Sequence, residues 1–216
     1  MIVTIDGPAG AGKSSIARRL AERLEYQFLD TGAMYRAVAL AALRRGYGVE
    51  NASEIAAMAE RLTIRLDGPR VWLDGDEVTD AIRTSEVSAA VHLAADNVAV
   101  RRRLVELQQQ IAGSRNTVTE GRDQGTVAFP QAECKIFLTA SAEERARRRH
   151  SELASRGEAV TFEEVLAQQR DRDDRDASRP VGALLKAADA VEVLTDGLRL
   201  EEVVEKLERI AKAHMG

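Results

Sequence analysis

The chain has 216 residues, 44% of them apolar, and carries 31 Lys+Arg against 35 Asp+Glu for a formal net charge of −4. That length allows one domain, or one core with excursions, and that apolar share excludes a disordered chain. The acidic balance argues against a general nucleic-acid or membrane-surface binder, which needs a positive field; yet 26 of the cations are Arg and only five are Lys, so local Arg clusters stay open.

Taken in order, Ile2 to Ile5 is a short β-branched run that ends at Asp6-Gly7, the signature of a buried strand. From Lys13 to Leu24 the apolar positions Ile16, Ala17, Leu20, Ala21 and Leu24 have helical spacing. Tyr26 to Leu29 reads as a second strand, and Ala33 to Leu43 as a second helix stopping at Gly46. Strand–helix–strand–helix is the pattern of parallel α/β folds. The middle departs from it: Leu62 to Leu66 and Val71 to Leu73, with turn residues at Asp67-Gly68-Pro69 and Asp74-Gly75-Asp76, predict a small antiparallel hairpin inserted into the core. A basic helical stretch follows from Val98 to Ile111. Thr117-Val118-Thr119, Lys135 to Leu138 and Val191 to Leu194 read as strands. Ser141-Ala142-Glu143-Glu144 and Thr161-Phe162-Glu163-Glu164 have capping-box form and should start helices. Leu200, Val203, Val204, Leu207 and Ile210 make a closing amphipathic helix. A single Cys134 cannot form an internal disulfide and fits a reducing compartment. The longest apolar run, Ala37 to Leu43, is too short to span a bilayer. No signal peptide is expected, because the first residues go straight into a strand, and the expected location is the cytoplasm. Three scattered His and one Cys offer no metal-ligand spacing.

Gly7-Pro8-Ala9-Gly10-Ala11-Gly12-Lys13-Ser14, followed by Ser15, matches G-x-x-x-x-G-K-[ST] between a strand and a helix. Glycines let the backbone amides point inward around a phosphate chain, Lys13 reaches the β and γ oxygens, and the Ser14 hydroxyl ligates Mg²⁺. The motif serves GTPases, motor ATPases and small-molecule kinases alike. No Asn-Lys-x-Asp segment points to a GTPase, and no long partner domain suits a motor. A short chain with two excursions, residues 33–96 and 141–179, suits a small kinase that must exclude water around two substrates.

Three further segments carry acceptor-type chemistry. Asp30-Thr31-Gly32-Ala33-Met34-Tyr35-Arg36 ends a strand, where Thr31 and Arg36 suit an anion. Glu120-Gly121-Arg122-Asp123-Gln124-Gly125-Thr126 follows another, with a cation and an acceptor side by side and Glu120 placed to position Mg²⁺ through water. Arg170 to Arg179 holds four Arg and four Asp in ten residues before Pro180. On a helix, Arg172, Asp176 and Arg179 share one face, and Arg presents a planar fork suited to phosphate. Residues 141–179 contain nine Arg and no Lys, among them Arg145, Arg147, Arg148 and Arg149. Cations there can stabilise a transferring phosphoryl group, while interleaved Glu residues and the lack of aromatics argue against a nucleic-acid patch.

Together the N-terminal P-loop, Asp30 to Arg36, Gly121-Arg122-Asp123-Gln124-Gly125 and Arg172-Asp173-Asp174-Arg175-Asp176 with Arg179 resemble the bacterial cytidylate kinase family, over essentially the whole chain. The resemblance implies a single P-loop kinase domain of α/β class: a parallel five-stranded sheet flanked by helices (core about 1–32, 97–140 and 180–216), a nucleoside-monophosphate-binding insertion with a small antiparallel hairpin (about 33–96) and a short lid (about 141–179). It implies Mg²⁺-dependent transfer from ATP to CMP or dCMP by a monomer. Thr31, Arg36, Arg122 and Arg179 are then phosphate holders, Arg101 and Asp123 read the cytosine edge, and Arg172 and Asp176 contact the nucleoside. Lys13, Arg148, Arg172 and Asp176 form the catalytic set. A Ser that commonly helps read the base in this family is matched here by His92, which is not taken as a site residue. Another small-molecule kinase, of shikimate or UMP/AMP type, and a non-catalytic ATP-binding module are the alternatives.

Overall fold

The structure is a computed structural model that describes residues 1–155 and 157–215; Arg156, one of the nine Arg counted above, lies outside the described residues. In chain order its elements are β1 (Ile2–Asp6), α1 (Lys13–Leu24), β2 (Gln27–Asp30), α2 (Thr31–Leu43), α3 (Ala52–Arg61), β3 (Ile64–Asp67), β4 (Arg70–Leu73), β5 (Asp76–Glu77), α4 (Ser85–Ala90), α5 (His92–Ala95), α6 (Val98–Ala112), β6 (Thr117–Gly121), β7 (Cys134–Thr139), α7 (Ala142–Ser155), α8 (Phe162–Ser178), β8 (Val191–Leu194) and α9 (Leu200–Ala213). By internal contacts the chain divides into two compact units, Met1–Phe28 with Ser114–Gly216, and Leu29–Gly113.

The first unit is built on a five-stranded sheet of order β2-β6-β1-β7-β8. β1 lies parallel to both β6 and β7, and β7 parallel to β8. Such strands are covered on both faces, which is why β1 reads as a continuous run: Val3, Thr4 and Ile5 are fully buried. α1 turns Ile16, Ala17, Leu20 and Ala21 inward, and α9 turns Val203, Val204, Leu207 and Ala211, so that the two helices and Val3, Ile5, Val118, Ile136, Leu138 and Val193 of the sheet share one core. α7 and α8 pack on each other around a smaller cluster of Ala146, Leu153 and Val165. Both expected N-caps are present: Ser141 Oγ accepts from the Glu144 N–H, and Thr161 with Glu164 forms a reciprocal capping box.

In the second unit α2 is buried almost all round, as its Ala-rich, charge-poor sequence requires, and α4, α5 and α6 pack on it. α2 begins at Thr31, two residues earlier than its apolar pattern predicts, because the Asp30 carboxylate accepts the Ala33 N–H and caps it. α3 has an amphipathic pattern that the sequence reading did not resolve. The expected hairpin is a three-stranded sheet, β3-β4-β5. Asp74 (φ 51) and Gly75 (φ 94) make the tight turn, and the chain continues past it as β5, pairing Leu73 with Asp76 and Trp72 with Glu77. Among the described residues no helix is long and apolar enough to cross a membrane.

Where β1 ends the chain turns sharply at Gly7, with φ of +151°. A Cβ at this position would lie 1.9 Å from the Leu138 carbonyl oxygen of β7. Backbone, not a pliable side chain, fills that space. Gly7→Ala is therefore expected to destabilise the protein by about 4 kcal/mol or more, read as a fall in the midpoint of urea or thermal unfolding.

Candidate active site

The loop from Gly7 to Gly12 leaves the C-terminal end of the central strand and enters α1 at Lys13. Ligands of open parallel sheets bind at this edge. Lys13 is only 5% exposed, and its ammonium donates to the Pro8 carbonyl at 2.7 Å. Burial, then the nearby Arg122 and Arg172, push its pKa down to about 7 against the opposing pull of Glu120 and Asp6. Pro8, Ala9 and Ala11 are buried, whereas Gly10, Ser14 and Ser15 face outward. Ser14 Oγ donates to Glu120 Oε1 at 2.8 Å, which brings together two hard oxygen ligands from α1 and β6. A hydroxyl and a carboxylate oxygen are hard donors of the kind that suit a hard cation sharing its remaining coordination with phosphate and water.

The Arg/Asp segment of α8 meets the 121–125 loop at Asp176. This carboxylate is nearly buried, accepts Arg122 Nε at 2.7 Å, and pairs with Arg179 at 2.6 Å. Burial would lift its pKa, but Arg122, Arg179 and Arg172 outweigh that and hold it below the ordinary carboxylate value. Arg179 lies just past the end of α8 in an extended conformation (ψ 136°), as a residue before proline should, rather than on the helix face itself. Arg172 sits on the same helix and acts electrostatically on both Asp176 and Lys13. Asp123 is 2% exposed.

The four-Arg cluster of α7 divides in two. Arg147 and Arg149 pair with Glu144 and Glu152 on their own helix. Arg148 bonds to Glu144 and, through both terminal nitrogens, to Thr195 just past β8; a Cβ on Gly12 would be 3.9 Å from its Nη1, so it flanks the phosphate loop. Arg145, 5% exposed, is the most engaged: it donates to the carbonyls of Ala140 and Ala9, to Gln169, and bidentately to Asp173. It thus joins the phosphate loop to α8 between Arg172 and Asp176.

Within the second unit Thr31 is buried at the first turn of α2, and Arg36, one turn on, lies 3.5 Å from the capping Asp30. Arg101, 4% exposed on α6, donates to the Ala95 carbonyl at 2.9 Å and sits 5.3 Å from the Tyr35 ring centroid. His92 begins α5, with Nδ1 2.7 Å from the Ala89 carbonyl oxygen.

Sequence reasoning missed two members of the first unit. Arg145 was one of four neighbouring Arg, and only the packing of α7 on α8 selects it. Asp6 was read as the end of a strand; its carboxylate is 4% exposed and accepts the N–H groups of Gln124 and Gly125 at 2.8 and 2.7 Å. Burial raises its pKa to about 6, the two amides and Lys13 opposing and Asp123 adding to the rise. An acidic residue closing an otherwise apolar central strand was the available signal.

A carboxylate held below its unfolded pKa contributes stability that is complete above that value and is lost as pH falls through the folded one. Asp176→Asn strands two guanidiniums on one amide. It should lower stability by about 3 kcal/mol at pH 7, and the gap from wild type should close below about pH 4, as measured by urea unfolding across pH.

The family model described as cytidylate kinase matches residues 3–213. Among curated proteins, the cytidylate kinase of Rhodopirellula baltica is 48% identical over 212 residues, covering 98% of this chain and 93% of that one. The cytidylate kinase of Desulfitobacterium hafniense is 49% identical over 208 residues, covering 95% and 90%. Among solved structures, a shikimate kinase from Bacteroides thetaiotaomicron superposes with a TM-score of 0.51 at 13% identity, covering 98% of each chain, a likeness of fold alone.

Proposed function

The chain belongs to the cytidylate kinase family, and on that premise we propose how its residues carry phosphoryl transfer from ATP to CMP or dCMP. An oxygen of the acceptor phosphate forms a bond to the γ phosphorus of ATP as the bond to the β–γ bridging oxygen breaks, giving ADP and (d)CDP. With a second pKa of about 6 the attacking phosphate is already ionised at neutral pH and needs no general base. Catalysis is then positioning and charge neutralisation.

The backbone N–H groups of residues 7–15, Pro8 excepted because its nitrogen carries no hydrogen, and the Lys13 ammonium hold the β and γ phosphates. Ser14 would ligate Mg²⁺, with Glu120 positioning its water; bound there, the ion neutralises charge on the phosphates. Arg148 and Arg172 supply guanidinium donors to the transferring group. Thr31, Arg36, Arg122 and Arg179 bind the acceptor phosphate, Arg172 and Asp176 the nucleoside, and Arg101 and Asp123 the cytosine edge. Residues 33–96 serve as the acceptor-binding insertion, 141–179 as the lid, and the remainder as the core of one kinase domain. One buried Cys134 suits a reducing compartment, hence the cytoplasm. The chain acts in this reading as a monomer.

The observation that carries this reading is the convergence of Arg122 and Arg179 on Asp176, with Arg122 and Arg172 also acting on Lys13. Forked donors gathered beside the phosphate-loop lysine are what a second phosphate requires. Cytosine presents an N4 donor that a carboxylate accepts and O2 and N3 acceptors that Arg satisfies, whereas uracil reverses the polarity at two of these positions. A buried mismatch costs about 1–3 kcal/mol. The kinase readings of shikimate or UMP/AMP type and the non-catalytic reading rank lower, since the family match runs over residues 3–213.

In an ADP-release assay CMP should exceed UMP in kcat/KM by about one to two orders of magnitude; equal rates with CMP, UMP and AMP would sink the base-reading assignment. Arg172, exposed on α8, can be removed without disturbing the core. Arg172→Ala should lower kcat by about 100-fold at an unchanged melting temperature, and wild-type kinetics would make it a passive surface residue.

A further inference from the structure

The reaction as described makes no use of Asp6, although burying a carboxylate at the end of the central strand is costly. Among the described residues its two oxygens are bonded to backbone amides. Oδ1 takes the N–H of Gln124 at 2.8 Å and Oδ2 that of Gly125 at 2.7 Å. These amides open a π turn, Gln124–Ala128, whose own bonds run from the N–H groups of Val127 and Ala128 to the Asp123 carbonyl and from Phe129 to that of Gln124. The first N–H groups of such a turn have no partner within it and must find an acceptor elsewhere. Asp6 supplies both acceptors from one rigid position, since its backbone is held in register with Gly121 on one side and Phe137 on the other.

The turn is seated closely. A Cβ on Gly125 would stand 3.0 Å from Thr4 Oγ1, 3.2 Å from Lys135 Cδ and 3.4 Å from Asp6 Oδ2. Arg122 and Asp123 immediately precede the turn, and Gly7, the first residue of the phosphate loop, immediately follows Asp6.

We propose that Asp6 is a positioning residue whose carboxylate holds the 124–128 turn and so sets Arg122 and Asp123 in register with the phosphate loop. This rests on the reading of Arg122 and Asp123 as acceptor-binding groups. An Asn at this position offers one acceptor and one amide donor. One of the two backbone N–H groups then faces an NH₂, and the turn must shift, taking Arg122 and Asp123 with it. The phosphate loop keeps its place, because strand pairing rather than this side chain holds the β1 backbone.

The test is steady-state kinetics on Asp6→Asn, Gly125→Ala and Arg122→Met alongside wild type, each with its melting temperature. Asp6→Asn should raise the KM for CMP at least tenfold while the KM for ATP stays within twofold. A residue that only stabilises the fold would lower the melting temperature and leave both KM values alone, and that result overturns the proposal, as does an equal rise in both. If Asp6→Asn does not fold, Gly125→Ala decides. It displaces the same turn without altering the carboxylate and should show the same selective CMP defect, and its absence overturns the proposal. Arg122→Met separates the two levels of the argument. An unchanged CMP KM there removes the acceptor-site reading and the Asp6 role together, whereas a raised one beside a wild-type-like Asp6→Asn removes the Asp6 role alone.

Discussion

A buried ammonium at the end of the central strand governs the first unit. Lys13 is almost wholly withdrawn from water, and its neighbours Arg122 and Arg172 add positive charge rather than relieve it. Desolvation and like-charge repulsion both act against its charged form. Such a site favours a polyanion, and three carboxylates stand around it: Asp6 at the end of β1, Glu120 beside Ser14, and Asp176 between Arg122 and Arg179. Asp176 compensates two guanidiniums directly, whereas Asp6 accepts the backbone amides of Gln124 and Gly125 and Glu120 accepts the Ser14 hydroxyl, so each carboxylate is tied to a particular element.

The preference for Arg over Lys follows from the same constraint. Asp176 is approached by two guanidiniums, and Arg145 satisfies four acceptor groups from three segments of chain. A planar fork can hold a carboxylate and a carbonyl at once and remains charged when buried. An ammonium in Arg145's position could not reach Ala9, Gln169 and Asp173 together. Because α8 carries Asp173 between Arg172 and Asp176, the bond that anchors the helix to the loop of residues 7–12 also sets where Arg172 and Asp176 stand. Arg147 and Arg149, one position either side of Arg148, pair with Glu144 and Glu152 of their own helix, so the abundance of Arg does not mark function residue by residue.

Most of the architecture was legible locally. The bounds of α1 and β8 follow from apolar periodicity alone, and the starts of α7 and α8 from their capping motifs. The start of α2 and the position of Arg179 differ from expectation through a side-chain cap at Asp30 and the steric demand of Pro180, and β5 is a strand the sequence reading lacked, entered through a two-residue turn at Asp74-Gly75. α4 and α5, with six and four residues, carried patterns too brief to separate from loop.

The phosphate loop, the lysine and the Arg/Asp segment were determined by the sequence itself, because each depends on residue types within a few positions, whose backbone requirements and donor geometry are local. Only the tertiary structure decided which charges meet. Arg122 and Asp176 are 54 residues apart, and Asp6 lies 118 from Gln124. No periodicity or spacing encodes those contacts. They arise because parallel pairing of β1 with β6 brings both strand ends to one edge, and because α7 and α8 pack to return Asp176 to it. Burial and the partners it imposes, properties of the assembled fold, are what turn a mildly acidic, Arg-rich chain into a set of paired charges beside the buried lysine.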